Sequence, residues 1–126
     1  LKQTEALRCV FDSVRSRFPV GYGFGDFERA LVDWEVVPLA LGGQVIGGVL
    51  VSGNEIHVGY STPPGAALRR HIKETLSQML NRYGFVKTGV AVDNARGLRF
   101  CKRLGFHETK RENGVVYLRC EKTNYG

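Results

Sequence analysis

The sequence predicts a mixed α/β (α+β) fold: a mixed central sheet that begins as an antiparallel meander, passes through a strand-helix-strand unit and ends in a hairpin, with helices on both faces. Three observations carry this expectation. Apolar residues recur at three and four in several stretches, which is the stripe of an amphipathic helix. Elsewhere Val, Ile and Leu gather in short runs divided by Gly-Gly, Ser-Gly-Asn and Asn-Gly, the signals of strands joined by tight turns. In the second half the two patterns alternate. The 126 residues are expected to form a single domain, 1–126.

The first helix is expected over 5–18, where Ala6, Leu7, Val10, Phe11, Val14 and Phe18 share one face and Pro19 stops the run. A glycine-aromatic loop follows at 19–25, its rings free either to contact a ligand or to pad the core. Asp26 is the expected cap of a short helix reaching Val32. Strands are expected over 34–40, 44–51 and 55–60. After Pro63-Pro64-Gly65 the residues Leu68, Ile72, Leu76, Met79, Leu80 and Tyr83 fall on one face of the longest helix, which Gly84 closes. A strand over 85–92 leads to a helix over 94–104, with Asn94 as cap and Gly105 as terminator. Two last strands, 106–111 and 115–120, flank Asn113-Gly114, the strongest short hairpin signal in the chain.

Composition narrows the function classes. Apolar residues at 43% and charged residues at 24% are those of an ordinary globular chain, which disfavours disorder. No apolar run approaches the roughly 18 residues of a membrane span. Three scattered cysteines, Cys9, Cys101 and Cys120, fit a reducing compartment rather than a disulfide framework or a zinc site, so a cytoplasmic location is expected. The net charge of +6 is split: residues 1–63 hold 5 Lys/Arg against 7 Asp/Glu, and residues 64–126 hold 13 against 5. Such a second half is suited to an anionic partner, a nucleic acid or a phosphate-rich small molecule.

Two joints could hold chemistry. The start of the long helix, Thr62-Pro63-Pro64-Gly65-Ala66-Ala67, brings small residues and free backbone N–H groups to a place where phosphate binds well, although Pro-Gly is also ordinary turn punctuation. The second joint is more specific: Asn94, Gly97, Phe100, Arg103, Gly105 and Phe106 keep the order and spacing of a known closing motif. Here the sequence resembles the GNAT acyltransferases, and the order of its elements resembles that fold over nearly the whole chain. The fold's leading strand is then missing, in keeping with a start at Leu1 rather than Met.

That resemblance implies an acetyl-CoA or related acyl-CoA donor, with its pyrophosphate on the loop Thr62, Gly65, Ala66 and Ala67. Thr62 stands where the family usually has Gln or Arg, and the paired prolines remove donors. Arg69, Arg70 and Arg99 could offset this with positive charge, and the resemblance sets Asn94, Phe100 and Arg103 with the cofactor too. It further implies that a backbone N–H near Val58 or Gly59, at a strand bulge, polarises the thioester carbonyl. Glu55 and His57 lie two apart on one strand and so on one sheet face, where either could take the proton of an attacking amine. The other reading makes Glu55 a surface charge and His57 a packed core residue. Cys101 stands where the family usually places the Tyr that protonates the leaving thiolate. It is either that acid or a small core residue beside Leu98 and Leu104, with Tyr60 or Tyr117 as substitutes.

Three functions follow. The first is an N-acyltransferase that moves an acetyl or similar group from acyl-CoA to an unidentified amine by direct attack, without metal or covalent intermediate, in a chain that could be a homodimer. The acceptor would approach beside the loop 19–25. The second is an inactive GNAT-like structural or binding module, of the kind found among tailed-phage proteins. The third is a nucleic-acid binder on the basic half. Acidic neighbours at Glu74, Asp93 and Glu108 and the lack of an aromatic-basic sheet motif speak against it.

Overall fold

The computed structural model describes residues 2–62 and 65–121. The chain runs α1 (Lys2–Val14), a 3-10 turn (Arg15–Arg17), α2 (Phe24–Ala30), β1 (Glu35–Leu41), β2 (Gln44–Ser52), β3 (Glu55–Tyr60), α3 (Ala66–Tyr83), β4 (Val86–Ala91), α4 (Ala95–Leu104), β5 (His107–Glu112) and β6 (Val115–Cys120). The strands hydrogen-bond in the order β1-β2-β3-β4-β6-β5. Only the β3-β4 step is parallel among the registers described, with Glu55 opposite Lys87, and so the sheet is mixed as expected. Two compact units divide the chain, one formed by Leu1–Ser52 with His57–Arg69 and the other by Gly53–Ile56 with Arg70–Gly126.

In the first unit α1 buries the stripe Ala6, Leu7, Val10 and Phe11. It ends four residues before the expected Phe18. Phe18 is extended, at φ −97° and ψ 152°, because the proline that follows it disfavours helical geometry. The loop rings are core padding: Phe18, Tyr22 and Phe24 pack on Leu7, Val10, Phe11, Phe27 and Leu50. Phe18 stacks on Tyr22 at 4.6 Å across a turn closed by the Tyr22 N–H donating to Pro19 O at 3.1 Å. Of the two readings of this loop, packing is the one the structure supports. Asp26 is not the cap of α2. Gly23 is, and the Asp26 carboxylate reaches back to accept from the Gly23 N–H at 2.8 Å, the reciprocal half of a capping box.

Close approach holds α1 on the sheet. A Cβ added at Gly48 would sit 3.2 Å from the Ala6 side chain, and one at Gly59 would sit 2.8 Å from Val10 Cγ1 and 3.0 Å from Ser13 Oγ. The β1-β2 ladder shifts register between Leu39 and Ala40, which pair with Gly47 and Val45 and leave Ile46 unmatched. Its carbonyl accepts from both the Ser61 N–H at 2.7 Å and the Ser61 hydroxyl at 3.1 Å. The bulge therefore anchors the chain where it leaves β3.

In the second unit α3 buries Ile72, Leu76 and Met79, and its last turn closes with the Gly84 N–H donating to Leu80 O at 2.8 Å. Strand β6 alternates as a half-buried strand should, with Val116, Leu118 and Cys120 inward. β5 is exposed along its whole length and carries His107, Glu108, Lys110, Arg111 and Glu112, a charged edge that resists pairing with another chain. The β5-β6 turn is the expected one, with positive φ at Asn113 (53°) and Gly114 (78°). Phe106 lies outside β5. It is buried as the hydrophobic residue that follows the end of α4, its N–H donating to Cys101 O at 3.0 Å while the Gly105 N–H, at φ 112°, donates to Lys102 O.

Candidate functional site

The start of α3 is open. The Gly65 carbonyl accepts from the Arg69 N–H at 3.0 Å, which makes Gly65 the cap and leaves the N–H groups of Ala66, Ala67 and Leu68 without acceptors inside the helix. Glycine has no side chain to cap them. No acidic residue lies in the first turn, where one would normally offset the positive end of the helix dipole, and Arg69 and Arg70 follow at once. Thr62, Gly65, Ala66 and Ala67 are all exposed, and a Cβ at Gly65 would meet no atom within 4 Å. Backbone donors, dipole and cations thus converge where an anion would be favoured. Pro63 and Pro64 lie outside the described residues.

On β3, His57 is half-buried against Trp34, with ring centroids 5.6 Å apart and planes tilted by 45°. Trp34 itself packs on the aromatic core of the first unit. Val58 and Tyr60 are half-buried and Gly59 is buried beneath α1. A second close approach meets it from the sheet, since a Cβ at Gly47 would run into the Gly59 and Tyr60 backbone. Glycine at 59 thus has a packing reason that its sequence context did not reveal. Glu55, half-buried at the start of the strand, falls in the second unit, and its neighbour Asn54 accepts from the Lys87 N–H at 2.8 Å.

On α4 the motif resolves into mechanics. The Asn94 side-chain oxygen accepts from the Gly97 N–H at 3.0 Å and so caps the helix. A Cβ at Gly97 would lie 2.5 Å from the Asn94 amide nitrogen and 3.1 Å from Val90 Cγ1, so the cap and the glycine require one another. Phe100 is half-buried and Arg103 exposed. Cys101 shares the inner face with Leu98 and buried Leu104, and burial pushes its thiol up to about 11. Tyr117, one of the substitutes considered for it, faces out on β6 with the Lys110 ammonium 5.0 Å from its ring centre.

The first unit therefore contains His57, Val58, Gly59, Thr62, Gly65, Ala66 and Ala67, and the second contains Glu55, Asn94, Phe100, Cys101 and Arg103. Sequence reasoning missed Trp34 and the Ser61 anchor. Only the Asp33-Trp34-Glu35 setting marked Trp34 out, and nothing local names its partner across the sheet.

No family model matches the sequence, and no curated protein matches it. The fold does have matches among solved structures. A protein of Pyrococcus horikoshii aligns with a TM-score of 0.72 and 15% identity, over 97% of this chain and 92% of its own. The ribosomal-protein-alanine N-acetyltransferase of Brucella melitensis aligns at 0.67 and 14%, over 93% of each chain. The PaiA N-acetyltransferase of Thermoplasma acidophilum, solved with coenzyme A, aligns at 0.64 and 10%, over 94% of this chain and 89% of its own. None of these bears out a phage-type relative. Among the described residues no helix is long and apolar enough to cross a membrane. With its meander, its strand-helix-strand unit and its closing hairpin matched nearly end to end by such enzymes, the chain has the fold of the GNAT N-acetyltransferases.

Proposed function

We propose that this protein is an N-acyltransferase that takes an acetyl or similar acyl group from acyl-CoA and passes it to an amine by direct attack. The observation that carries this reading is the start of α3 in a GNAT fold: three N–H groups without acceptors inside the helix, a glycine at the cap with no side chain to offer, no first-turn acid and two arginines beside it. Ala66, Ala67 and Leu68 would hold the donor's pyrophosphate through backbone N–H groups, with Arg69 and Arg70 adding charge. The donor supplies a thioester, whose carbonyl carbon is the electrophile. On β3, the Val58 or Gly59 N–H offers a hydrogen bond to the oxyanion that develops there.

His57 is the base of this reading, set on β3 beside Trp34 in the same compact unit as the α3 start. It takes the proton that the attacking nitrogen must lose, directly or through one water. Glu55 is the second candidate. In this reading Cys101 is not the acid, because burial pushes its thiol up to about 11 and makes it a poorer proton donor than an ordinary thiol. The departing thiolate is stable enough at neutral pH to leave without it. Asn94 contributes by holding α4 in place through its cap.

The test is titration calorimetry with CoA and acetyl-CoA, comparing the natural chain with Gly65→Glu. Open space at Gly65 admits the new side chain, so the variant folds and sets a carboxylate against the phosphates. Saturable binding lost in the variant is the expected result. A folded chain that binds neither compound would overturn the reading. Binding without release of free thiol, across a panel of amines, would favour a binding module instead.

A further inference from the structure

Trp34 is the one tryptophan of the chain, and it does not sit as a filler would. The rings that fill the core of the first unit, Phe11 and Phe27, are buried, whereas Trp34 packs on that core from its edge and stays half-buried. Its place is fixed twice. The Trp34 N–H donates to Leu31 O at 3.0 Å in the turn that leads from α2 to β1, and its side chain rests on the cluster of Leu7, Val10, Phe11, Phe27 and Leu50. From there the indole reaches the His57 imidazole, with 5.6 Å between ring centres and 45° between planes. Strand β2 separates β1 from β3, so it takes a long side chain at the start of β1 to span the gap. At such a separation two aromatic rings attract one another.

His57 has a use for this neighbour. The outer torsion of a histidine turns about an sp3–sp2 bond whose wells are broad and roughly two-fold, so a half-buried imidazole with nothing against it swings between opposite orientations. A general base must instead hold one ring nitrogen at the proton it takes. A flat ring packed against the imidazole removes that freedom, and Trp34 can do so because the core, and no ligand, sets its own position. We infer that Trp34 is a positioning residue of the acyl transfer, holding the His57 imidazole in the orientation in which it takes the proton of the attacking amine. The inference rests on the reading of His57 as the base. Trp34 acts through His57 and gives no group of its own to the reaction.

The test compares Trp34→Leu, Trp34→Phe, Leu31→Ala and His57→Gln with the natural chain by two readouts: NMR of the imidazole C–H signals, and release of free thiol from acetyl-CoA with a panel of primary amines. The chain has three histidines, and His57→Gln identifies the signal of His57. Trp34→Leu should move that signal, by removing the ring current of the indole, and leave those of the exposed His71 and His107 in place. Loss of the base lowers kcat by about 100-fold or more. Trp34→Leu should lower it by about 10- to 100-fold, as a displaced reacting group does, with the KM for acetyl-CoA unchanged. Trp34→Phe keeps a flat ring and should recover most of that loss. Leu31 packs on the same core, so Leu31→Ala should lower Tm without lowering kcat, and circular dichroism melts set an assay temperature at which every variant is folded. Trp34→Leu and Leu31→Ala lowering kcat alike would overturn the inference, since Trp34 would then serve the core alone. So would a His57 signal that Trp34→Leu leaves in place. Full turnover in His57→Gln, or a natural chain that acylates no amine, would instead sink the reading beneath the inference, and the inference with it.

Discussion

Cys101 shows how much a single position can mean once its surroundings are known. In the sequence it is either an acid or a filler, since an unperturbed thiol is within reach of the proton transfer that a GNAT enzyme requires. Burial on the inner face of α4 supports the filler by lifting the thiol from 9.0 to about 11. The consequence for stability has a definite sign. Below pH 9 the thiol is protonated in both folded and unfolded chains and contributes no pH dependence. Between about pH 9 and 11 the unfolded thiol ionises while the folded one does not, so the contribution is lost as pH rises, by at most about 3 kcal/mol. Urea unfolding of the natural chain and of Cys101→Ala at pH 8 and pH 11 checks this. The gap between the two should narrow or reverse at the higher pH, and an unchanged gap would show that the thiol is not held protonated.

At the scale of the element, the start of α4 explains a motif that spacing alone could only match. Asn94 caps the helix and occupies the room in which a Cβ of residue 97 would stand. Three expectations follow for a double-mutant cycle in urea. Asn94→Ala costs about 1 kcal/mol, the usual worth of such a cap. Gly97→Ala costs about 1–2 kcal/mol although alanine is the better helix former, because the cap must move. In the Asn94→Ala background, Gly97→Ala is close to neutral, leaving a coupling of about 1 kcal/mol or more. Additive effects would mean that the two residues are independent. The same logic of space governs α1, whose contact with Gly48 and Gly59 depends on there being no side chain at either.

The whole molecule is where the donor would be felt. A ligand that binds only the folded chain stabilises it by about 2.7 kcal/mol at a concentration a hundred times its Kd. For a chain of 126 residues that corresponds to a rise in Tm of about 10 °C. CoA should produce it in thermal melts followed by circular dichroism, and Gly65→Glu should melt near the natural chain yet show no rise. A rise that persists in the variant would move the phosphates away from the start of α3.

Most of the architecture was legible in the sequence, because period and punctuation are local. The stripe of α3, the valine-rich runs of the meander, the Asn113-Gly114 turn and the Asn94 and Gly105 ends of α4 each lie within a few residues of what they specify. Boundaries slipped where a neighbour intervened, as at Phe18 before Pro19 and at Asp26, which reaches back to a cap three residues earlier. The site was legible in part. The open start of α3 follows from Gly65 and its small neighbours, whereas the tilted packing of Trp34 against His57, the anchoring of Ser61 by Ile46 and the packing reason for Gly59 join residues distant in the chain. The physical reason is one of range: a helix stripe or a turn is a property of consecutive residues, but burial, close approach and a shifted thiol arise only when the fold brings strangers into contact.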